Sequence, residues 1–192
     1  MDKLDAKTSA LLVMDYQTSV VDGFATDKDA LLARTAELLA AARRDGVRII
    51  YIVVGFRAGY PEIAPTSMFR AVIQGGRFAP DDKLSEVHAA VAPKDGDVIV
   101  TKHRVSAFYG TDLDIILRAN GITTLVLAGI ATSGVVLSTV RHAADADYRI
   151  VVVEDCCADR DAEVHRVLCE KVFARMTTVM KASAVIQALD AS

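Results

Sequence analysis

The chain has 192 residues, of which 52% are hydrophobic and 24% are charged. This length is typical of one domain, and the apolar content is too high for a disordered protein. The net charge of -3 comes without any basic stripe, which disfavours binding to nucleic acid. We therefore interpret residues 1–192 as a single folded domain.

The cellular setting is predicted from what the termini and cysteines lack. The longest apolar runs, such as residues 49–54, are far shorter than the ~20 residues that a membrane span needs. The first five residues are mostly polar and offer no apolar region typical of a secretion signal. Three cysteines, two of them adjacent, do not form a disulfide pattern. We expect a cytoplasmic protein without membrane contact, and the low charge favours a homo-oligomer, either a dimer or a tetramer.

Short apolar runs alternate with longer segments of helical periodicity. Strands are predicted at residues 9–14, 47–54, 97–101, 123–128, 149–153 and 177–180. Helices are predicted at residues 28–44, 112–119, 133–146, 162–175 and 181–189. Residues 55–80 are predicted as a long loop with at most short helices. Because the strands are apolar throughout, they are typical of a parallel sheet covered on both faces, and the alternation predicts a doubly wound α/β fold.

In such folds ligands bind beyond the carboxyl ends of the strands, so the residues after each strand carry the functional prediction. Asp15 follows the first strand and can act as a general acid or base with a shifted pKa; a helix cap or turn residue is the alternative. Lys102 follows the third strand and can hold Asp15 ionised, unless it lies in a solvated basic loop. The adjacent His103 is the histidine that the sequence favours for a site role. The others, His88, His142 and His165, are interpreted as packing or surface residues.

The fourth predicted strand ends in a strand-turn-helix junction over residues 129–136, GIATSGVV. Thr132 or Ser133 can cap the following helix, and the backbone N–H groups of the first turn can bind an oxyanion. The spacing is not the G-x-S-x-G of a serine nucleophile, which disfavours a serine hydrolase. A plain connecting turn is the alternative.

These three strand ends, in this order, resemble the isochorismatase-like hydrolases, also called the cysteine hydrolase family. The matching stretches are residues 10–17 (ALLVMDYQ), 98–113 (VIVTKHRVSAFYGTDL) and 125–145 (LVLAGIATSGVVLSTVRHAAD), and the similarity extends over nearly the whole chain. The resemblance implies a three-layer α/β/α fold with about six mainly parallel strands. It also implies that Asp15 and Lys102 are the catalytic pair.

Within the third stretch, the resemblance implies a cis peptide at Ile130–Ala131 and oxyanion or turn roles for Ile130, Ala131 and Gly134. It places Val135 in the position of the family's nucleophilic cysteine. Valine cannot be a nucleophile, so cysteine-dependent amide hydrolysis is not expected from this position. Isochorismatases proper also lack this cysteine, and the resemblance to them implies cleavage of a vinyl ether by a proton from the aspartate.

No cofactor is predicted. Nicotinamidases of this family hold a metal through Asp and His residues after the second strand, and residues 55–60 (GFRAGY) contain neither. We therefore predict no metal site.

The predicted substrate pocket combines residues that follow the first three strands. An aromatic wall with one cation suits a small, partly anionic substrate, and its members are Gln17, Phe56, Arg57, Phe108 and Tyr109. The alternative is that the two phenylalanines belong to the core and that Arg57 is solvated. The three cysteines, Cys156, Cys157 and Cys169, are interpreted as buried structural thiols because acidic neighbours and burial raise a thiol pKa.

The sequence thus predicts a hydrolase of a small molecule that uses an Asp-Lys pair without a cysteine nucleophile. The alternative is a catalytically inactive member of the family that binds a small molecule or another protein. A third interpretation, that Val135 replaces a native cysteine by engineering, is disfavoured because Val135 and Val136 suit a natural helix start.

Overall fold

The structure is a computed structural model that describes residues 3–190 of the chain. Its centre is a six-stranded sheet, parallel throughout, in the order β3-β2-β1-β4-β5-β6. The strands are β1 (Ser9–Met14), β2 (Arg48–Val54), β3 (Val98–Lys102), β4 (Thr124–Ile130), β5 (Arg149–Ala158) and β6 (Thr178–Met180). The predicted doubly wound α/β fold is confirmed.

Helices cover both faces of this sheet. They are α1 (Thr18–Phe24), α2 (Lys28–Arg44), α3 (Arg70–Gln74), α4 (Leu113–Ala119), α5 (Leu137–Asp145), α6 (Ala162–Val167) and α7 (Ala182–Asp190), and short 3-10 turns lie at Lys83–Ser85, Ala89–Val91 and Phe173–Arg175. Two π-helical turns, Thr132–Val136 and Leu168–Val172, lie next to α5 and α6. No described helix has both the length and the apolar character to cross a bilayer.

The two sides of β1 belong to different halves of the core. Leu11 and Val13 pack in the cluster that contains the buried residues of α2 and α7. Leu12 and Met14 pack in the cluster that contains the buried residues of α4 and α5. Every residue of β1 and of β4 is buried, because each strand has neighbours on both sides and helices on both faces. These two central strands fix where the carboxyl edge of the sheet lies.

Strand β5 is longer than the sequence predicts. The prediction ends it at Val153, because polar residues follow, whereas the strand continues to Ala158. The register between β4 and β5 shifts between Leu127 and Gly129, and pairing resumes at Gly129 with Cys157. A bulge of this kind absorbs extra residues and lets a strand continue past polar positions.

Helix α1 is absent from the sequence prediction. It has seven residues, of which only Val21 is buried, and it contains Gly23. A short helix with one fully buried residue and an internal glycine shows no clear apolar periodicity.

Candidate active site

Asp15 and Lys102 form a buried ion pair at the carboxyl edge of the sheet. Asp15 directly follows β1, and Lys102 is the last residue of β3, two strands away. The Lys102 side chain spans the intervening strand and places Nζ 2.9 Å from Asp15 Oδ2. Asp15 and Lys102 are only 6% and 1% exposed. The geometry therefore brings together the two residues that the strand ends single out.

The backbone turns sharply at Asp15. Its φ is 58°, in the left-handed region that non-glycine residues rarely adopt. Its N–H still donates to the carbonyl of Ile52 in β2, at 2.8 Å. Aspartate tolerates this region better than most residues, and such conformations cluster at functional sites. The turn ends the strand and leaves the carboxylate at its edge.

The two oxygens of the Asp15 carboxylate have different surroundings. Oδ2 accepts from Lys102, whereas Oδ1 is buried and has no hydrogen-bond partner within residues 3–190. Burial raises the pKa of Asp15 from 3.8 to about 6, although the charge and hydrogen bond of Lys102 act in the opposite direction. Desolvation therefore outweighs the cation, and the carboxyl group exchanges its proton near neutral pH. Oδ1 is the atom that can hold this proton.

Lys102 is held by a second acceptor. Its Nζ also donates to the carbonyl of Arg104, at 3.0 Å. The Arg104 guanidinium in turn donates to the carbonyl of Glu62, at 3.0 Å, in the long loop after β2. These bonds fix the ammonium above β2 and tie the loop after β3 to the loop after β2.

The segment after β4 forms a tight turn, residues 131–136, which we call the β4 turn. The Ile130–Ala131 peptide bond that precedes it is cis. The carbonyl of Ala131 accepts from the N–H groups of Gly134, at 3.1 Å, and Val136, at 3.3 Å. Gly134 was predicted to have an oxyanion or turn role, and its N–H is used in this bond within the turn. Val135 is 2% exposed.

Gln17 was predicted to bind substrate, and the structure contradicts this. Its side chain is 1% exposed. Nε2 donates to the carbonyls of Val54, at 2.9 Å, and Ser85, at 2.7 Å. Oε1 accepts from the N–H of Val54, at 2.8 Å. Both amide protons are used, so Gln17 joins the end of β2 to the segment around residue 85 and has no donor left for a ligand.

The Gln17→Leu variant is expected to lower the free energy of unfolding by about 2–4 kcal/mol, because it strands buried backbone groups of Val54 and Ser85. Urea denaturation monitored by circular dichroism measures the change. Thr18→Val is the matched control, since its hydroxyl makes one exposed bond at 3.4 Å. Equal stability of the two variants would contradict the role assigned to Gln17.

A cavity of about 750 Å³ opens beside the carboxyl ends of β2 and β3. Its lining includes three of the residues that the sequence predicts for the site, Phe56, Arg57 and His103. Phe56 is buried in a small aromatic cluster, and Arg57 is largely exposed and pairs with Glu62 at 2.7 Å. The Nδ1 of His103 is hydrogen-bonded to the carbonyl of Gly55. Asp15, Lys102 and Val135 do not line this cavity.

Phe108 and Tyr109 do not line this cavity, so the structure does not bring the five predicted binding residues into one pocket. Phe108 is buried and stacks on His142 of α5, with ring centroids 4.3 Å apart and an interplanar angle of 4°. It packs in the core cluster below α5. Tyr109 is 68% exposed. The side chains of these adjacent residues therefore point in different directions, one to the core and one to solvent.

The three cysteines are free and buried, as the sequence predicts. Burial raises the pKa of Cys156 and of Cys169 to about 12 and that of Cys157 well above its usual value. These thiols are therefore poor sources of a reactive thiolate. Within residues 3–190, no group of three or more Asp, Glu, His or Cys side chains could hold a metal ion.

Comparisons with known proteins identify the family of this chain. Residues 9–184 match the isochorismatase domain. The chain belongs to the isochorismatase family. It is 32% identical over 191 residues to YecD of Escherichia coli O157:H7, an uncharacterized member of that family, with 98% of this chain and 100% of the relative covered. The resemblance stated from the three strand ends is confirmed.

One further relative and one solved structure are also similar to this chain over most of its length. A ureidoacrylate amidohydrolase, RutB of Variovorax paradoxus strain S110, is 32% identical over 92% of this chain and 80% of the relative. An isochorismatase family protein of Burkholderia thailandensis has a solved structure with a TM-score of 0.86 and 29% identity, covering 99% of this chain and 100% of that one. Hydrolases are thus among the members most similar to this chain.

Two side chains that contact the β4 turn in this isochorismatase-family chain were not predicted from the sequence. The hydroxyl of Thr132 lies 2.8 Å from Nδ1 of His165 in α6, and the N–H of Ser133 donates to Asp159 Oδ2 at 2.7 Å. His165 is 33 residues from Thr132 in the sequence, and Asp159 is 26 residues from Ser133. Sequence spacing contains no signal for such contacts, because they depend on the position of the residues that follow β5 and its bulge.

Proposed function

We propose that this chain hydrolyses a small molecule by proton transfer from Asp15, with Lys102 as the charged partner and without a cysteine nucleophile. The observation that carries the proposal is the buried pair at the carboxyl edge of the sheet, in which Oδ2 of Asp15 is held by Lys102 and Oδ1 is unpartnered within residues 3–190. A carboxyl group with a pKa of about 6 is suited to give and take a proton near neutral pH.

A vinyl ether is a substrate class that needs only this chemistry. The Asp15 proton is transferred to the terminal alkene carbon, and the π electrons form the new C–H bond. Water attacks the resulting oxocarbenium ion and gives one proton back to the Asp15 carboxylate, and the hemiketal or hemiacetal collapses to a carbonyl compound and an alcohol. The Asp15 carboxylate formed in the first step is stabilised by the Lys102 ammonium, 2.9 Å away. No thiol takes part.

The valine side chain at residue 135 distinguishes the proposed mechanism from that of a cysteine-dependent amidohydrolase. We place Val135 in the position of the family's nucleophile, so a thioester cannot form there. The cysteines elsewhere in the described chain are buried and have raised pKa values, so they do not replace it. The amide chemistry in the name of the Variovorax relative is therefore not transferred to this chain.

A two-class substrate screen tests the proposal. The unmodified protein is expected to release a carbonyl compound from carboxylated vinyl ethers and to leave ureidoacrylate and simple primary amides intact, as followed by chromatography. The Val135→Cys variant is the matched comparison, and any amide turnover should appear only there. Amide turnover by the unmodified protein that exceeds its vinyl ether turnover would overturn the mechanism.

A second candidate function is non-catalytic binding of a small molecule. The observation that favours it is the burial of the candidate site. Asp15, Lys102 and Val135 are 6%, 1% and 2% exposed, and none of them lines the 750 Å³ cavity. Under this function Asp15→Ala would bind the ligand as well as the parent. Turnover of any vinyl ether by the unmodified protein would exclude it.

A further inference from the structure

Two hydrogen bonds tie the β4 turn to α6 and to the residue that follows β5. Thr132 is fully buried, and its hydroxyl meets Nδ1 of His165. The next residue, Ser133, donates its backbone N–H to the carboxylate of Asp159. Both partners lie in the segment that runs from the end of β5 into α6. Two consecutive residues of the turn are therefore tied to one neighbouring segment.

The hydrogen bonds inside the β4 turn stabilise its own backbone conformation. The N–H groups of Gly134 and Val136 both donate to the carbonyl of Ala131. Such bonds fix the shape of the turn but not its orientation relative to β1. A cavity of about 140 Å³ is lined in part by Asp159 and His165, the two partners of the turn. The turn packs through Val135 and Val136 into the core cluster of α5, and the two polar contacts hold Thr132 and Ser133 on the side of α6.

We propose that His165 is a positioning residue for the active site, acting through the Thr132 hydroxyl to set where the β4 turn stands relative to Asp15. The catalytic consequence rests on the proposed function, because the turn follows β4, the neighbour of β1, and carries Val135 at the edge of the sheet where Asp15 lies. The orientation of the turn itself does not depend on that function.

The imidazole is well placed for this role because both ring nitrogens have partners. Nδ1 meets Thr132, and Nε2 lies 3.8 Å from the Sγ of Cys169. Burial lowers the pKa of His165, against the opposing charges of Glu154 and Asp159, so the ring is neutral near pH 7. A neutral imidazole has one donor and one acceptor, and either tautomer can satisfy both partners. Partners at both ends hold the ring plane in place.

Three variants separate positioning from general stability. His165→Leu removes the nitrogen that meets Thr132, whereas the amide group of His165→Asn can occupy the place of Nδ1. Val167→Ala is the matched control, since Val167 lies in the same helix and is 36% exposed. On the best vinyl ether of the screen, His165→Leu should lower kcat by about 10-fold with KM changed less than about 2-fold. His165→Asn should restore most of kcat, and Val167→Ala should not change it.

Amide hydrogen exchange supplies a readout that does not need turnover. By NMR at pH 7, the amides of the β4 turn should exchange at least about 10-fold faster in His165→Leu than in the parent, with little change in His165→Asn and Val167→Ala. If His165→Leu does not fold, Thr132→Val removes the same contact and should give the same pattern. Unchanged exchange in the turn, or equal acceleration in the Val167→Ala control, overturns the proposal. Faster exchange in His165→Leu, together with a parent that turns over no substrate, would uphold the positioning and reject the hydrolase.

Discussion

The Asp15→Asn variant is expected to lose between about 10²- and 10⁴-fold in kcat/KM on a vinyl ether substrate, which is the usual contribution of a positioned acid or base. Asparagine keeps the shape of the side chain and can still accept from Lys102, but it has no titratable proton. The loss should appear in kcat, because the proton moves in the transition state and not on binding. Steady-state kinetics with the best substrate of the screen measures it.

Asp97→Asn is the matched control for that experiment. Asp97 is paired with Arg43 at 2.6 Å, and its side chain is 8% exposed, close to the 9% of Asp15. It precedes β3 and therefore lies at the opposite end of the sheet from Lys102. Asp97→Asn should reduce stability without a comparable loss of kcat. Full activity of Asp15→Asn, or equal loss in both variants, would show that the proton does not come from Asp15.

The Lys102→Met variant is expected to lose about 3–5 kcal/mol of unfolding free energy at pH 8, because it leaves a buried carboxylate without its cation. The penalty should be smaller at pH 5, where Asp15 is protonated. In the parent, burial already raises the pKa of Asp15 from 3.8 to about 6, so its contribution to stability is present below the lower value and lost as the pH rises through the higher. Without the lowering effect of Lys102 the pKa rises further, and the loss continues above pH 6.

The measurement is urea denaturation of parent and variant at pH 5 and pH 8. The double variant Asp15→Asn/Lys102→Met is the control, because it removes both charges and should abolish the additional pH dependence. It should also be more stable at pH 8 than Lys102→Met alone, since an uncharged pair has no ion to desolvate. A penalty of the same size at both pH values would mean that Asp15 and Lys102 are not electrostatically coupled.

The strand ends made the pairing of Asp15 with Lys102 predictable. Continuous apolar runs identify buried parallel strands, and parallel strands bring their carboxyl ends to one edge. Asp15 and Lys102 follow such runs directly, so their meeting needs only the sheet order β3-β2-β1 and a lysine long enough to cross β2. This part of the candidate site follows from periodicity and topology.

The side-chain environment of the loops was not predictable in the same way. Gln17 is polar and close to Asp15 in sequence, yet its amide is consumed by the backbone of Val54 and Ser85. Phe108 and Tyr109 are adjacent, yet one is buried against His142 and the other is exposed. These outcomes depend on long-range partners that the local pattern does not contain.

The protonation of Asp15 is the most direct test of the mechanism. Carbon-13 NMR of the labelled Asp15 carboxyl group, recorded from pH 4 to pH 8, should give a pKa of about 6, and kcat/KM on a vinyl ether should fall as the pH rises above that same value. An Asp15 that titrates near pH 4, or a rate that does not change as Asp15 loses its proton, would contradict the account.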